Sequence, residues 1–300
     1  MNSITVSQGS RKSPAALARL VLGLFKLRIA VMTMITALVG LAVTPGATLR
    51  PAQVVVLALA VLLASASAGT FNQYCEFEAD RLMARTRTRA FVTGELPHTP
   101  AWLVLLAALL GLAVGAAWFV LNPVAALYIF LGAFVYAVVY TVWLKRRSWT
   151  NIVVGGLAGS FAVLAGGAAV DPGLGPLPLL LAFALFLWTP PHLWSLAIAN
   201  QADYAAAGVP MLPVVVGSQR AARIVFASTV ALVVASLLPG LFGAGPVYLA
   251  GALVGGAHFL HKAHALARAP SRKTAMASFF ASLLHLSLLL GAASIDGLMR

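Results

Sequence analysis

Three oxygen-bearing side chains in the stretch "FNQYCEFEADRLMARTRTRA", residues 71–90, recur at four-residue intervals: Asn72, Glu76 and Asp80. On one continuous helix they form a single stripe, with neighbours about 6 Å apart along the axis. One amide and two carboxylates a turn apart suit a hard cation such as Mg²⁺, which keeps several waters and shares substrate phosphates. Arg81, Arg85 and Arg89 repeat the spacing just beyond, and guanidinium groups pair with phosphate oxygens in bidentate geometry. Together these groups could handle a metal-bound diphosphate. The plainer alternative is a helix end laced with Glu–Arg pairs. Asn72 argues against it, because it carries the stripe back into an apolar run.

The elements that must position these groups are membrane helices. The chain has 300 residues, of which 61% are hydrophobic and only 9% charged, with a net charge of +13. Few soluble domains could cover that much apolar surface. The basic residues lie between long apolar runs rather than on a polar domain, so nucleic acid is excluded as a partner and the lipid bilayer is implied. A helix needs about 20 residues to cross the hydrocarbon core. Nine candidate spans lie near 22–45, 52–75, 100–119, 122–143, 152–170, 175–199, 222–241, 243–262 and 275–295. Turn chemistry separates them at 44–51, 121–123, 171–176 and 239–246. The runs are continuous rather than alternating, which excludes a closed barrel. The reading is an all-α integral membrane protein of about nine transmembrane helices. Residues 1–20 form a cytoplasmic tail, not a removable signal, and 21–300 form a single membrane domain.

Charge orients it. With the N-terminus inside, Arg11, Lys12, Arg19, Lys26 and Arg28 share the inner face with Arg81, Arg85, Arg87 and Arg89. Lys145, Arg146, Arg147, Arg220, Arg223, Lys262, Arg268, Arg272 and Lys273 join them. Only Arg50 and Arg300 fall outside, which predicts N-in and C-out in a cell inner (plasma) membrane, with a site open to the cytoplasm. The single cysteine, Cys75, allows no intrachain disulfide. "NQ" occurs at 72–73 and again at 200–201, each at the inner end of a span and each followed by an acid, a faint internal echo.

"NQYCEFEADRLMARTRTR" resembles the first motif of the intramembrane prenyltransferases of the UbiA superfamily, and within it the branch that farnesylates protohaem IX. Asn72, Glu76, Asp80, Met83, Arg85, Thr86 and Arg89 occupy the motif's positions. Glu76 and Glu78 stand where Asp is common, and Ala90 stands where Pro is usual. "YTVWLKRRSWTNIVVGGLAGSFAVLAG" (140–166) and "LWTPPHLWSLAIANQADYAAAGVPMLPVVVG" (187–217) extend the resemblance, and "FKLRIAVMTMITALVG" (25–40) matches more loosely. The Pro-Pro-His block belongs to the haem branch. Quinone and chlorophyll branches carry a second acid-rich motif there.

Further readings come from the residues themselves and, for His192, from the resemblance. Pro190 and Pro191 remove two backbone donors and are expected to break the sixth span. The resemblance assigns His192 to the haem substrate, through the iron or a propionate. Asp203 is a candidate fourth metal ligand beside Asn72, Glu76 and Asp80, or a helix-end carboxylate paired with an Arg. Lys145 is a positive-inside residue that could also hold diphosphate. Asn151 could cap the fifth span. His258, His261 and His264 read as an interfacial helix end, and His285 as structural. The run "GGLAGSFAVLAGGAA" allows close helix packing.

The resemblance implies a UbiA-type fold around a central cavity and an Mg²⁺-dependent transfer of farnesyl from farnesyl diphosphate to protohaem IX (haem B), giving haem O. The catalytic set is then Asn72, Glu76, Asp80, Arg85 and Arg89, with Arg85, Arg89 and Lys145 on the diphosphate. Haem A synthase is the candidate protein partner. Two alternatives remain: a sister activity on a quinone or tetrapyrrole precursor, and a haem-binding or transport protein without catalysis.

Overall fold

The computed structural model describes residues 13–299. Arg11, Lys12, Arg300 and most of the expected tail lie outside them. The described residues are helical wherever regular: α1 (Pro14–Leu24), α2 (Leu27–Val43), α3 (Pro51–Cys75), α4 (Phe77–Leu82), α5 (Ala101–Val120) and α6 (Pro123–Phe134). The chain then passes into a π-helix, Val135–Leu144. The second half holds α7 (Asn151–Gly155), α8 (Leu157–Val170), α9 (Pro176–Ala199), α10 (Gln201–Ala206), α11 (Leu212–Val216), α12 (Ser218–Leu237), α13 (Pro246–Arg268) and α14 (Arg272–Leu298). Proline opens α3, α6, α9 and α13 at N1 or N2, where its missing donor costs nothing.

Among the described residues, seven helices are long and apolar enough to cross a membrane, and eight if the bent pair Ala18–Leu24 and Leu27–Val43 counts as one span. This corrects the expected nine. The segment 243–262 does form a helix, α13, but His258, His261, Lys262 and His264 dilute its apolar character.

A second correction concerns Pro190 and Pro191. They lie inside α9, which runs unbroken from Pro176 to Ala199. A proline pair removes two ladder bonds, but packed neighbours and nearby hydroxyls hold such a helix together. Here α8, α12 and α14 pack on α9. Thr189 Oγ1 donates to the carbonyl of Leu185 at 3.2 Å, and Ser195 Oγ to that of Pro191 at 2.7 Å.

Two apolar cores meet along α2 and α8. One joins α2, α3, α5, α6 and α8, and the other joins α2, α8, α9, α12, α13 and α14. The seam is backbone against backbone. A Cβ at Gly40 would strike the Val163 carbonyl, and one at Gly166 would strike that of Ala37. Only hydrogen fits at either position, which realises the close packing expected of the small-residue run. Gly166→Leu is therefore expected to cost about 3 kcal/mol or more, because backbone cannot yield as a side chain can. Thermal unfolding in detergent checks this, with Gly159→Leu as control: a Cβ at Gly159 meets nothing within 4 Å.

Candidate active site

The acidic stripe forms at the inner end of α3. The helix hands over to α4 at Glu76 (φ −93°, ψ 7°), yet the i→i−4 bonding continues. Glu76 N donates to Asn72 O at 3.0 Å, and Asp80 N to Glu76 O at 2.8 Å. Asn72, Glu76 and Asp80 are thus stacked a turn apart, and all three are buried. Glu78, off the stripe, faces outward and pairs at 3.8 Å with Arg81, both exposed.

The arginines do not continue the helix. Met83 turns extended (φ −103°, ψ 128°), and residues 84–96 fold back as a series of turns. Arg85 is exposed on that return, whereas Arg89 comes back to the stripe. Its guanidinium pairs with Asp80 and lies 4.0 Å from Glu76. Thr86 Oγ1 pins the turn by donating to Asp80 O at 3.1 Å. The returning segment rests on an aromatic cluster, with His98 stacked 4.0 Å from Tyr74 and 4.8 Å from Phe77, and Phe91 edge-on to Tyr74. Ala90 is buried in this cluster, and its carbonyl accepts from Leu96 N at 3.2 Å, so the turn closes without the usual proline.

The π-helix supplies the opposing wall. Residues 136 and 145 are nine apart, which at about 3.6 residues per turn would put them on opposite faces of an α-helix. Bonding five residues back widens the turn. Lys145 N donates to Tyr140 O at 2.9 Å, and Thr141 Oγ1 to Tyr136 O at 2.8 Å. Tyr136, Tyr140, Thr141 and Lys145 consequently all meet the site. Lys145 Nζ pairs with Glu76 and lies over the Tyr140 ring. Thr141 Oγ1 accepts from Asn72 Nδ2 at 3.1 Å, and the two tyrosine rings stack at 5.6 Å.

One residue of the site was counted in the sequence only for its charge. Lys26 sits at the 53° bend between α1 and α2, in a left-handed conformation (φ 47°, ψ 45°). From there Lys26 Nζ donates to Asn72 Oδ1 at 2.6 Å and to the Tyr136 hydroxyl at 3.3 Å. A strained non-glycine residue held by such partners is typical of functional sites. Three basic side chains thus gather at the stripe, Arg89 and Lys145 on its two carboxylates and Lys26 on Asn72.

The donor set bears on the metal. Asp80 Oδ1 is buried without a hydrogen-bond partner, leaving a free lone pair beside Glu76. Burial pushes the Asp80 carboxyl above its ordinary range, and Arg89 pulls it back. These two carboxylates fit a hard cation that takes its remaining oxygens from phosphate and water. Asn72 is engaged at both ends of its amide. Among the described residues no three His, Cys, Asp or Glu side chains gather as a complete metal cage. Asp203 lies in the first turn of α10, partly exposed.

Beyond the charged cluster, an apolar cavity of about 220 Å³ runs between α2, α3, α6, the π-helix, α8 and α9. Tyr136 lines its charged end. Thr189 lines its α9 side, one turn before His192. His192 is buried within the continuous helix, not at a break. It is sandwiched between Trp188 at 4.1 Å and Phe279 at 4.5 Å, and its Nδ1 bonds Ser282 Oγ at 2.6 Å. Asn151 is buried and bonds the Ser148 carbonyl rather than capping α7. His285 is buried with neither ring nitrogen bonded. The NQ echo has a structural counterpart: α3 and α9 each end in a six-residue helix, and both glutamines tie down backbone, Gln73 to Leu24 O and Gln201 to Pro213 O.

Known proteins resemble this chain in sequence and in fold. The UbiA prenyltransferase family pattern matches residues 33–288. Protoheme IX farnesyltransferase 2 of Paramagnetospirillum magneticum is 56% identical over 275 residues, covering 92% of this chain and 96% of the relative. The solved structure of a digeranylgeranylglyceryl phosphate synthase superposes with a TM-score of 0.79 at 18% identity, over 94% of this chain and 99% of that one. A UbiA homologue from Archaeoglobus fulgidus bound to DMAPP and Mg²⁺ superposes with a TM-score of 0.69 at 16% identity, covering 90% and 98% of the two chains. With a multi-pass helical fold and a match across most of its length, the chain belongs to the UbiA prenyltransferase family.

Proposed function

We propose that this chain farnesylates protohaem IX, taking the prenyl group from farnesyl diphosphate and releasing haem O. The observation that carries the reading is the junction of Lys26, Arg89, Lys145, Glu76 and Asp80 with an apolar cavity at Tyr136. The near relative's name adds the acceptor. An allylic diphosphate has this polarity, with several negative charges at one end and a hydrocarbon chain at the other.

Lys26, Arg89 and Lys145 bind the diphosphate oxygens and offset the charge that builds as the C–O bond breaks. Arg85, on the exposed turn, adds positive potential at the entrance. Asn72 orients Lys26 and ties α3 to the π-helix through Thr141. Glu76 and Asp80 would hold Mg²⁺, which when bound supplies Lewis-acid charge to the leaving diphosphate. The bonding pair leaves with the diphosphate, and the vinyl π pair of haem attacks farnesyl C1. Water then adds to the new cation and a proton is lost, which gives the hydroxyethylfarnesyl group. The apolar walls keep other water from the allylic cation. His192, fixed by Ser282 and two rings one turn beyond Thr189, is the residue this reading assigns to the haem.

The charged end is the cytoplasmic end in this reading, since Lys26, Arg89 and Lys145 belong to the basic inner-face set. The N-in, C-out orientation holds in this reading only with α13 crossing in addition to the eight spans counted above.

The direct test incubates purified protein with haem B, farnesyl diphosphate and Mg²⁺ and reads the product by mass spectrometry. Haem plus farnesyl plus water is expected. Recovery of haem B alone, with every component shown intact, would sink the assignment.

A further inference from the structure

We infer that the cavity measures the prenyl donor, with Tyr128 at its far end as the stop and Gly159 as the open position midway. This inference rests on the proposed transfer reaction. It adds residues that set donor length.

The depth comes from helix geometry. Along α3, Asn72 marks the charged end and Val61 the far end of the lining. Eleven residues at 1.5 Å each give about 16 Å. A farnesyl main chain of twelve carbons spans roughly 14 Å at ordinary C–C bond lengths, a geranyl chain of eight roughly 9 Å, and a geranylgeranyl chain of sixteen roughly 19 Å. Farnesyl fills the depth, geranyl leaves nearly half of it empty, and geranylgeranyl overruns it.

The stop is aromatic and braced. Tyr128 lines the cavity and stacks on Phe161 at 5.9 Å, so its ring cannot swing toward α8. It lies eight residues before Tyr136, about 12 Å deeper along α6 and the π-helix at ordinary helical rise. Ile129 and Val61, both buried, complete that end. Midway, α8 presents Gly159, which lines the cavity and whose Cβ would meet nothing within 4 Å. Its neighbours do not share that freedom: a Cβ at Gly155 would crowd Tyr140 at 2.9 Å, and one at Gly156 would crowd Thr189 at 3.0 Å. Gly159 is thus a wall position that can take a side chain into the cavity without disturbing the fold.

The experiment offers wild type, Gly159→Leu and Tyr128→Ala an equimolar mixture of geranyl, farnesyl and geranylgeranyl diphosphates with haem B and Mg²⁺. Product ratios are read by mass spectrometry, and thermal shifts with each donor alone are read in parallel. Gly159→Leu is expected to move the ratio at least roughly tenfold toward geranyl, and Tyr128→Ala by a similar factor toward geranylgeranyl. If wild type farnesylates haem and both variants keep its ratio, the gauge is wrong. If wild type prenylates no haem while the donor-dependent thermal shifts still reorder in the variants, the gauge stands and the acceptor assignment falls. Unchanged thermal-shift order in folded Gly159→Leu overturns the gauge in either case.

Discussion

Asp80→Asn is expected to lower turnover at least ~10³-fold while the protein still folds and inserts. Lewis-acid charge on a leaving diphosphate contributes several kcal/mol to such a barrier, and each 1.4 kcal/mol is about tenfold. The amide keeps the volume of the carboxylate, so the buried position is filled. It loses the charge that a cation needs and the stronger acceptor for Arg89. Arg89 retains Glu76 nearby and is partly open to solvent, so it is not stranded as a buried lone charge. The measurement is steady-state haem O formation across a range of Mg²⁺ concentrations, with a thermal melt as the folding control. A loss of turnover that excess Mg²⁺ partly restores supports the metal role. Parent-rate turnover in well-folded Asp80→Asn rejects it.

Lys26→Met should produce the second largest effect, a fall of about 10- to 100-fold in kcat/KM for farnesyl diphosphate. A hydrogen bond to a charged group contributes about 1.5–3 kcal/mol, which sets that range. Methionine preserves the apolar stem and removes the ammonium that now bonds Asn72 and Tyr136. Lys26→Arg should recover part of the loss, because it restores charge with a different reach. A merely structural role for Lys26 predicts lower thermal stability with unaltered KM for the donor. A role in holding diphosphate predicts a raised KM, with haem affinity unchanged. Kinetics at saturating haem separate the two.

These two residues mark how far the sequence was legible. Asp80 was readable because its partners are local: Asn72, Glu76 and Asp80 follow a helical period, and the period survives the change from α3 to α4. Lys26 was not, because 46 residues separate it from Asn72 and 110 from Tyr136. Nothing in "FKLRIAV" distinguishes a ligand from an ordinary inner-face charge. Arg85 and Arg89 share the same spacing rule on paper, but the chain leaves the helix at Met83, so one is exposed and the other returns to Asp80. Pro190 and Pro191 were read from local backbone chemistry as a break. The helices packed around α9 hold it continuous instead, and His192 therefore sits in a rigid aromatic sandwich.

Composition and periodicity determined by themselves that the chain is a helical membrane protein, and that Asn72, Glu76 and Asp80 stack a turn apart at the end of the second expected span. These are one-dimensional properties, set by hydropathy and by a period of about 3.6 residues. The tertiary structure decided which cations meet the carboxylates, how the π-helix turns Lys145 toward Glu76, and where the apolar cavity begins and stops. Each depends on the approach of segments far apart in the chain. The glycine seam of α2 and α8 is one such approach, a backbone contact that no local pattern specifies.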